Sequence, residues 1–142
     1  MMTLAPEQQR KRLLEIQSSL IGNQNFKVLI VDDDESDLIL TQNRLKSFGI
    51  ESITTVHGGV AEEMISQNGF AVIFLDWKLV GVSGLSVLRS IKLKCPKCVV
   101  IILTGVATND DAVIALNNGA ALVMSKPITD EAIKIIFDSP FP

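Results

Sequence analysis

Val28-Leu-Ile-Val-Asp-Asp-Asp34 joins four consecutive apolar residues to three consecutive carboxylates with no turn residue between them. An unbroken Val/Ile/Leu run, without polar alternation, is the pattern of a strand buried on both faces, and such strands belong to parallel sheets covered by helices. The acids then fall where the strand must end. The run therefore reads as a central parallel strand with a polar tip.

Working outward from it, four further β-type runs recur at 52–56, 71–75, 99–103 and 122–124, making five with 27–31. Helical patterns separate them. Leu38, Leu45 and Phe48 precede Gly49. Val60, Ala61, Met64 and Ile65 form i, i+4 pairs before Gly69. Leu85, Leu88 and Ile91 recur at threes before Cys95-Pro96. Thr108 and Asp111 form a Thr-x-x-Asp start for a fourth helix carrying Val113 and Leu116 and ending at Gly119. Thr129 opens a shorter fifth with Ile133, Ile136 and Phe137. Strict βα alternation with right-handed crossovers predicts a doubly wound α/β fold, a five-stranded parallel sheet with helices on both faces. The flavodoxin-like order 2-1-3-4-5 brings the tips of the first and third strands together at the switch point.

Length and composition agree with this reading. A chain of 142 residues that is 47% hydrophobic suits one domain, expected over 26–138. Residues 1–25 are expected to form an amphipathic helical extension, with Pro6 at its start and a stripe of Leu13, Ile16 and Leu20 beside Arg10, Lys11 and Arg12, and residues 139–142 to be a tail. The extension either packs on the domain or serves as a dimer arm or linker. Either a stand-alone domain or a piece of a longer protein is expected.

No apolar run approaches the roughly 20 residues of a membrane span, and Met1 to Gln9 lacks the basic-then-apolar order of a secretory signal, so a cytoplasmic protein is expected. A net charge of −3 gives no basic face for nucleic acid. Cys95-Pro-Lys-Cys98 matches a redox CxxC in spacing, yet it follows a helix instead of opening one, where the dipole would stabilise a thiolate. It reads as a connecting loop. With His57 distant in sequence, the two sulfurs also fall short of a zinc site.

The chemistry lies at the strand ends. Asp32, Asp33 and Asp34 follow the first strand, Asp76 the third, Thr104 the fourth, and Lys126 comes shortly after the fifth. Converging carboxylates repel unless a hard divalent cation with oxygen ligands joins them, and Mg²⁺ fits, with Mn²⁺ as a substitute. An acid cluster with a metal, a hydroxyl and an ammonium provides distributed positive partners for a transferring phosphoryl group, and a carboxylate is a competent acceptor. Asp34 reads instead as a helix cap, Trp77 as a cover beside the site or a packed part of the surface, and Gly105 as a gap left for an incoming donor.

Val28 to Asp34, Leu75-Asp76-Trp77 with Gly84 eight residues past Asp76, Thr104-Gly105 and Lys126-Pro127 together resemble the response-regulator receiver family of two-component phosphorelays, over about residues 26–137. The resemblance implies Asp76 as phosphoacceptor, Thr104 as switch hydroxyl and Lys126 as phosphoryl-binding cation. It further implies Mg²⁺ held by Asp33, Asp76 and the Lys78 backbone carbonyl, with Asp32 acting through water, and a cis Lys126-Pro127 bond. The implied partner is a histidine kinase or a histidine phosphotransfer protein, with dimerisation through the N-terminal helix or the fourth and fifth helices. Such a module is no enzyme beyond its own phosphorylation and dephosphorylation. Lys78 and Val106 occupy positions expected to tune the lifetime of the aspartyl phosphate.

Two positions depart from the family pattern. Val80 replaces a common proline, which implies a less rigid loop, and Val123 replaces an aromatic residue whose rotation accompanies switching. The alternatives are a degenerate receiver serving only as an interaction surface, a haloacid-dehalogenase-like phosphatase, which wants an acid where Lys78 stands, and a flavodoxin-like cofactor carrier, whose phosphate the acids would repel.

Overall fold

The computed structural model describes residues 27–67, 69–105 and 108–138. The N-terminal extension, the tail and Val106 lie outside the described residues.

Five strands form one parallel sheet: β1 (Lys27–Val31), β2 (Ser52–Thr55), β3 (Phe70–Leu75), β4 (Val99–Thr104) and β5 (Leu122–Ser125). Their order is β2-β1-β3-β4-β5, as the alternation predicts. Between them run α1 (Glu35–Ser47), α2 (Gly58–Gln67), α3 (Gly84–Lys94) and α4 (Asn109–Asn117). The fifth helix, α5, begins at Asp130–Ile133 and continues over Lys134–Asp138 with π-type winding.

The two-residue period of the strands divides the core in two. Val28, Ile30, Val72, Phe74, Ile101, Leu103, Leu122 and Met124 point to one face, where they meet Leu38 and Leu45 of α1 and Ile133 and Ile136 of the last helix. Leu29, Val31, Ile73, Leu75, Val100, Ile102 and Val123 point to the other, against Ala61 and Ile65 of α2, Val87, Leu88 and Ile91 of α3, and Ala112 and Ala115 of α4. Both faces of the central strands are thus buried, which explains why their sequence shows no polar alternation.

The helix starts are chemically specified. Asp34, Ser83, Thr108 and Thr129 each accept a backbone N–H three residues on, from Asp37, Ser86, Asp111 and Ala132. Asp34 is therefore a cap, as read from the sequence. Gly49 and Gly119 follow α1 and α4 with φ of 79° and 105°, values that L side chains rarely adopt.

The Cys95–Cys98 segment is the turn between α3 and β4, as its position in the sequence implies, and its two sulfurs pair as a disulfide across that turn. Lys92 Nζ closes the same turn by donating to the carbonyls of Pro96 and Cys98. The strand boundaries shift by a residue in several places: β3 starts at Phe70, β4 includes Thr104 and β5 includes Ser125.

Candidate functional site

Backbone pairing carries the sheet one residue past its strands. The Asp32 N–H donates to the Thr55 carbonyl, Asp76 N–H to Val31, and Lys126 N–H to Thr104. These bonds fix three chemically active residues at one edge, Asp32 and Asp76 on the adjacent tips of β1 and β3 and Lys126 after β5, which β4 joins to them. The Lys126-Pro127 bond is cis, and the Arg44 guanidinium donates to the Ile128 carbonyl just beyond it at 3.0 Å.

Asp32, Asp33 and Asp76 each offer a carboxylate oxygen, and the three oxygens lie within 4.8 Å of one another. Oxygen donors at this spacing fit a hard divalent cation. Each carboxylate also accepts one backbone N–H: Asp32 Oδ1 from Asp34 at 3.0 Å, Asp76 Oδ1 from Lys78 at 3.2 Å, and Asp33 Oδ2 from Val80 at 3.1 Å. Opposite them, Lys126 Nζ lies 2.7 Å from Asp32 Oδ2 and 3.2 Å from Asp76 Oδ2.

The electrostatics follow from burial. Desolvation pushes the Asp32 carboxyl up to about 6, although Lys126 and the Asp34 amide pull it down, and the neighbouring Asp76 charge adds to the rise. Burial also disfavours the Lys126 ammonium, but Asp32, Asp37 and Asp76 more than offset this, and its pKa is raised above the usual lysine range. Lys126 therefore remains a cation throughout the physiological range.

Of the residues predicted from sequence, Asp32, Asp33, Asp76 and Lys126 converge. Thr104 is buried on the same rim, and its carbonyl receives the Lys126 amide. Lys78 reaches the acids through its N–H. Trp77 packs partly buried against the core beneath α2 to α4. A Cβ placed on Gly105 would meet no atom within 4 Å, so that position faces open space, as a gap for a donor requires. Gly84 has a structural reason to be glycine: a Cβ there would collide with the Trp77 backbone, whose carbonyl accepts the Gly84 N–H.

Sequence reasoning missed Asp37. It reads as an ordinary acid in a first helical turn, yet its Oδ2 lies 3.0 Å from Lys126 Nζ. The available signal was its spacing, one turn beyond Asp33 on the side of α1 nearest the strand tips.

Residues 28–138 match the profile of the response regulator receiver domain. This chain belongs to that receiver family. Among relatives, it is 27% identical to the transcriptional regulatory protein ZraR of Klebsiella oxytoca, over 81% of this chain and 26% of that protein. It spans about a quarter of the length of the curated relatives it matches. Among solved structures, a CheY-like receiver domain protein from Methanospirillum hungatei JF-1 aligns with TM-score 0.69 and 30% identity, covering 73% of this chain and 83% of that one. A response regulator from Burkholderia pseudomallei, crystallised with a phosphorylated aspartic acid, a calcium ion and citrate, aligns with TM-score 0.71 and 27% identity, covering 77% and 64%. The receiver's strand-tip acids thus have the composition and spacing of a divalent-cation site, and among the described residues no helix is long and apolar enough to cross a membrane.

Proposed function

We propose that this receiver takes a phosphoryl group on Asp76 from a phosphohistidine of a histidine kinase or phosphotransfer protein, with Mg²⁺ at Asp32, Asp33 and Asp76. The observation that carries this reading is the Lys126 ammonium spanning two buried carboxylates, one of them Asp76, at the rim of a three-acid cluster. An Asp76 oxygen attacks phosphorus, the N–P bond breaks, and its electron pair returns to the imidazole, leaving an acyl phosphate. Lys126 supplies a cation for the charge spreading over the phosphoryl oxygens. The cation would supply the second positive partner, held by Asp33, Asp76 and the Lys78 carbonyl, with Asp32 acting through water.

In this reading Thr104 is the switch hydroxyl. The readout passes to α4, where Val113 and Ile114 are exposed. Val123 is buried in the core and has no ring to rotate, so switching runs through the loop after Thr104 and α4. A cytoplasmic location goes with a kinase partner, and a net charge of −3 gives this chain no basic face for direct nucleic-acid contact.

The test is incubation with Mg²⁺ and acetyl phosphate followed by intact mass measurement. Uptake of one phosphoryl group by the wild type, and none by Asp76→Asn, supports the reading. No uptake by the wild type selects a degenerate receiver that acts only as an interaction surface.

A further inference from the structure

Lys126 has three N–H donors, and three carboxylates stand within hydrogen-bonding distance: Asp32 at 2.7 Å, Asp37 at 3.0 Å and Asp76 at 3.2 Å. An ammonium engaged this way must release a partner before it can bind a phosphoryl oxygen. In the metal-free domain Asp32 and Asp76 are poor candidates for release, because their side chains are only 5% and 7% exposed and each would be left buried without a cation, which is costly. Asp37 differs. Its side chain is 41% exposed, it comes from α1 and not from a strand tip, and it is outside the three-acid cluster. Water can replace its partner at little cost. A cleft of about 350 Å³, lined by Asp37, Leu40, Thr41, Gly105, Lys126 and Pro127, opens beside the pair and admits that water.

We propose that Asp37 is a positioning residue that parks the Lys126 ammonium in the unphosphorylated domain and yields it to the arriving phosphoryl group. The inference rests on Asp76 being the acceptor. No covalent bond changes at Asp37: one N–H···O contact to its carboxylate is exchanged for one to a phosphoryl oxygen. The carboxylate competes with the phosphoryl for the same donor, so it slows loading of Asp76 and weakens retention of the group.

The test compares wild type, Asp37→Asn, Asp37→Glu and Glu35→Gln. The last removes a charge from the same first turn of α1 without touching Lys126. Two readouts are used: the rate of labelling by acetyl phosphate with Mg²⁺, and the affinity for beryllofluoride with Mg²⁺, followed by fluorescence of Trp77, the single tryptophan. Loss of a half-exposed ion pair predicts that Asp37→Asn gains about threefold in both. Asp37→Glu, which keeps the charge, stays near wild type, as does Glu35→Gln. If Asp37→Asn and Glu35→Gln change equally, the effect is general charge and the parking role is wrong. Slower labelling of Asp37→Asn also overturns it. A wild type that takes up neither probe overturns the Asp76 assignment, and this inference with it.

Discussion

The Val80 amide donates to Asp33 Oδ2 at 3.1 Å, tying the loop after β3 to one of the three clustered acids. Val80 is 85% exposed, and the residue contributes to the site through its backbone. Proline, common at this position in the family, has no N–H to give. The departure from the family pattern therefore adds a tether that its composition alone does not reveal.

Val80→Pro tests this relationship. Gly81 follows with φ of 80°, a positive value of the kind found after proline in tight turns. The substitution removes the donor that occupies Asp33 and leaves the carboxylate freer for a cation. Mg²⁺ affinity, read by Trp77 fluorescence, should rise by about two- to fivefold, the worth of one exposed hydrogen bond. Unchanged or weaker binding would show that the tether organises the acids instead of competing for one.

The raised pKa of Asp32 gives the pH dependence a sign. A proton on Asp32 excludes the cation, so Mg²⁺ affinity should fall about tenfold between pH 7 and pH 5, as for one competing proton with a pKa of about 6. Without metal the folded state holds that proton more tightly than the unfolded chain, whose carboxyl titrates near 3.8. Asp32 therefore penalises the fold above pH 6, and the penalty is relieved as pH falls from 6 towards 3.8. Saturating Mg²⁺ should reverse that trend. Metal titrations across this range check the first expectation, and urea unfolding with and without Mg²⁺ checks the second.

Lys126→Ala leaves Asp32 and Asp76 buried together without their cation. A loss of about 3 kcal/mol is expected in urea unfolding at pH 7, of which added Mg²⁺ should restore part. A variant as stable as wild type would mean that the acids relax into water at no cost.

Gly84→Ala forces a methyl group into the Trp77 backbone. The clash sets the new Cβ against main-chain atoms and no rotamer change relieves it, so a loss of about 2–3 kcal/mol is expected in thermal or urea unfolding. An unperturbed Trp77 spectrum and stability would contradict the close approach.

The parts of this structure that were legible in the sequence are those set by local pattern. Continuous apolar runs ending in Asp32, Asp76 and Thr104 announced buried parallel strands with polar tips, and the caps at Asp34, Thr108 and Thr129 follow from single side chains bonding amides three residues on. The remainder depends on how elements meet. Asp37 and Lys126 are 89 positions apart and touch only because the fold brings the first turn of α1 and the segment after β5 to the same edge of the sheet. The Asp33–Val80 bond spans 47 positions and involves a main-chain group that composition cannot flag. The π-type winding over Lys134–Asp138 occupies five residues, too few for apolar spacing to separate it from an ordinary helical turn.

The most direct measurement locates the phosphoryl group. After labelling with acetyl phosphate and Mg²⁺, borohydride reduces an acyl phosphate to the alcohol, and tandem mass spectrometry of the peptides then identifies the residue changed. Homoserine at position 76, with Asp32, Asp33 and Asp37 intact, is the predicted result. Reduction at any of those three acids, with Asp76 untouched, would contradict it.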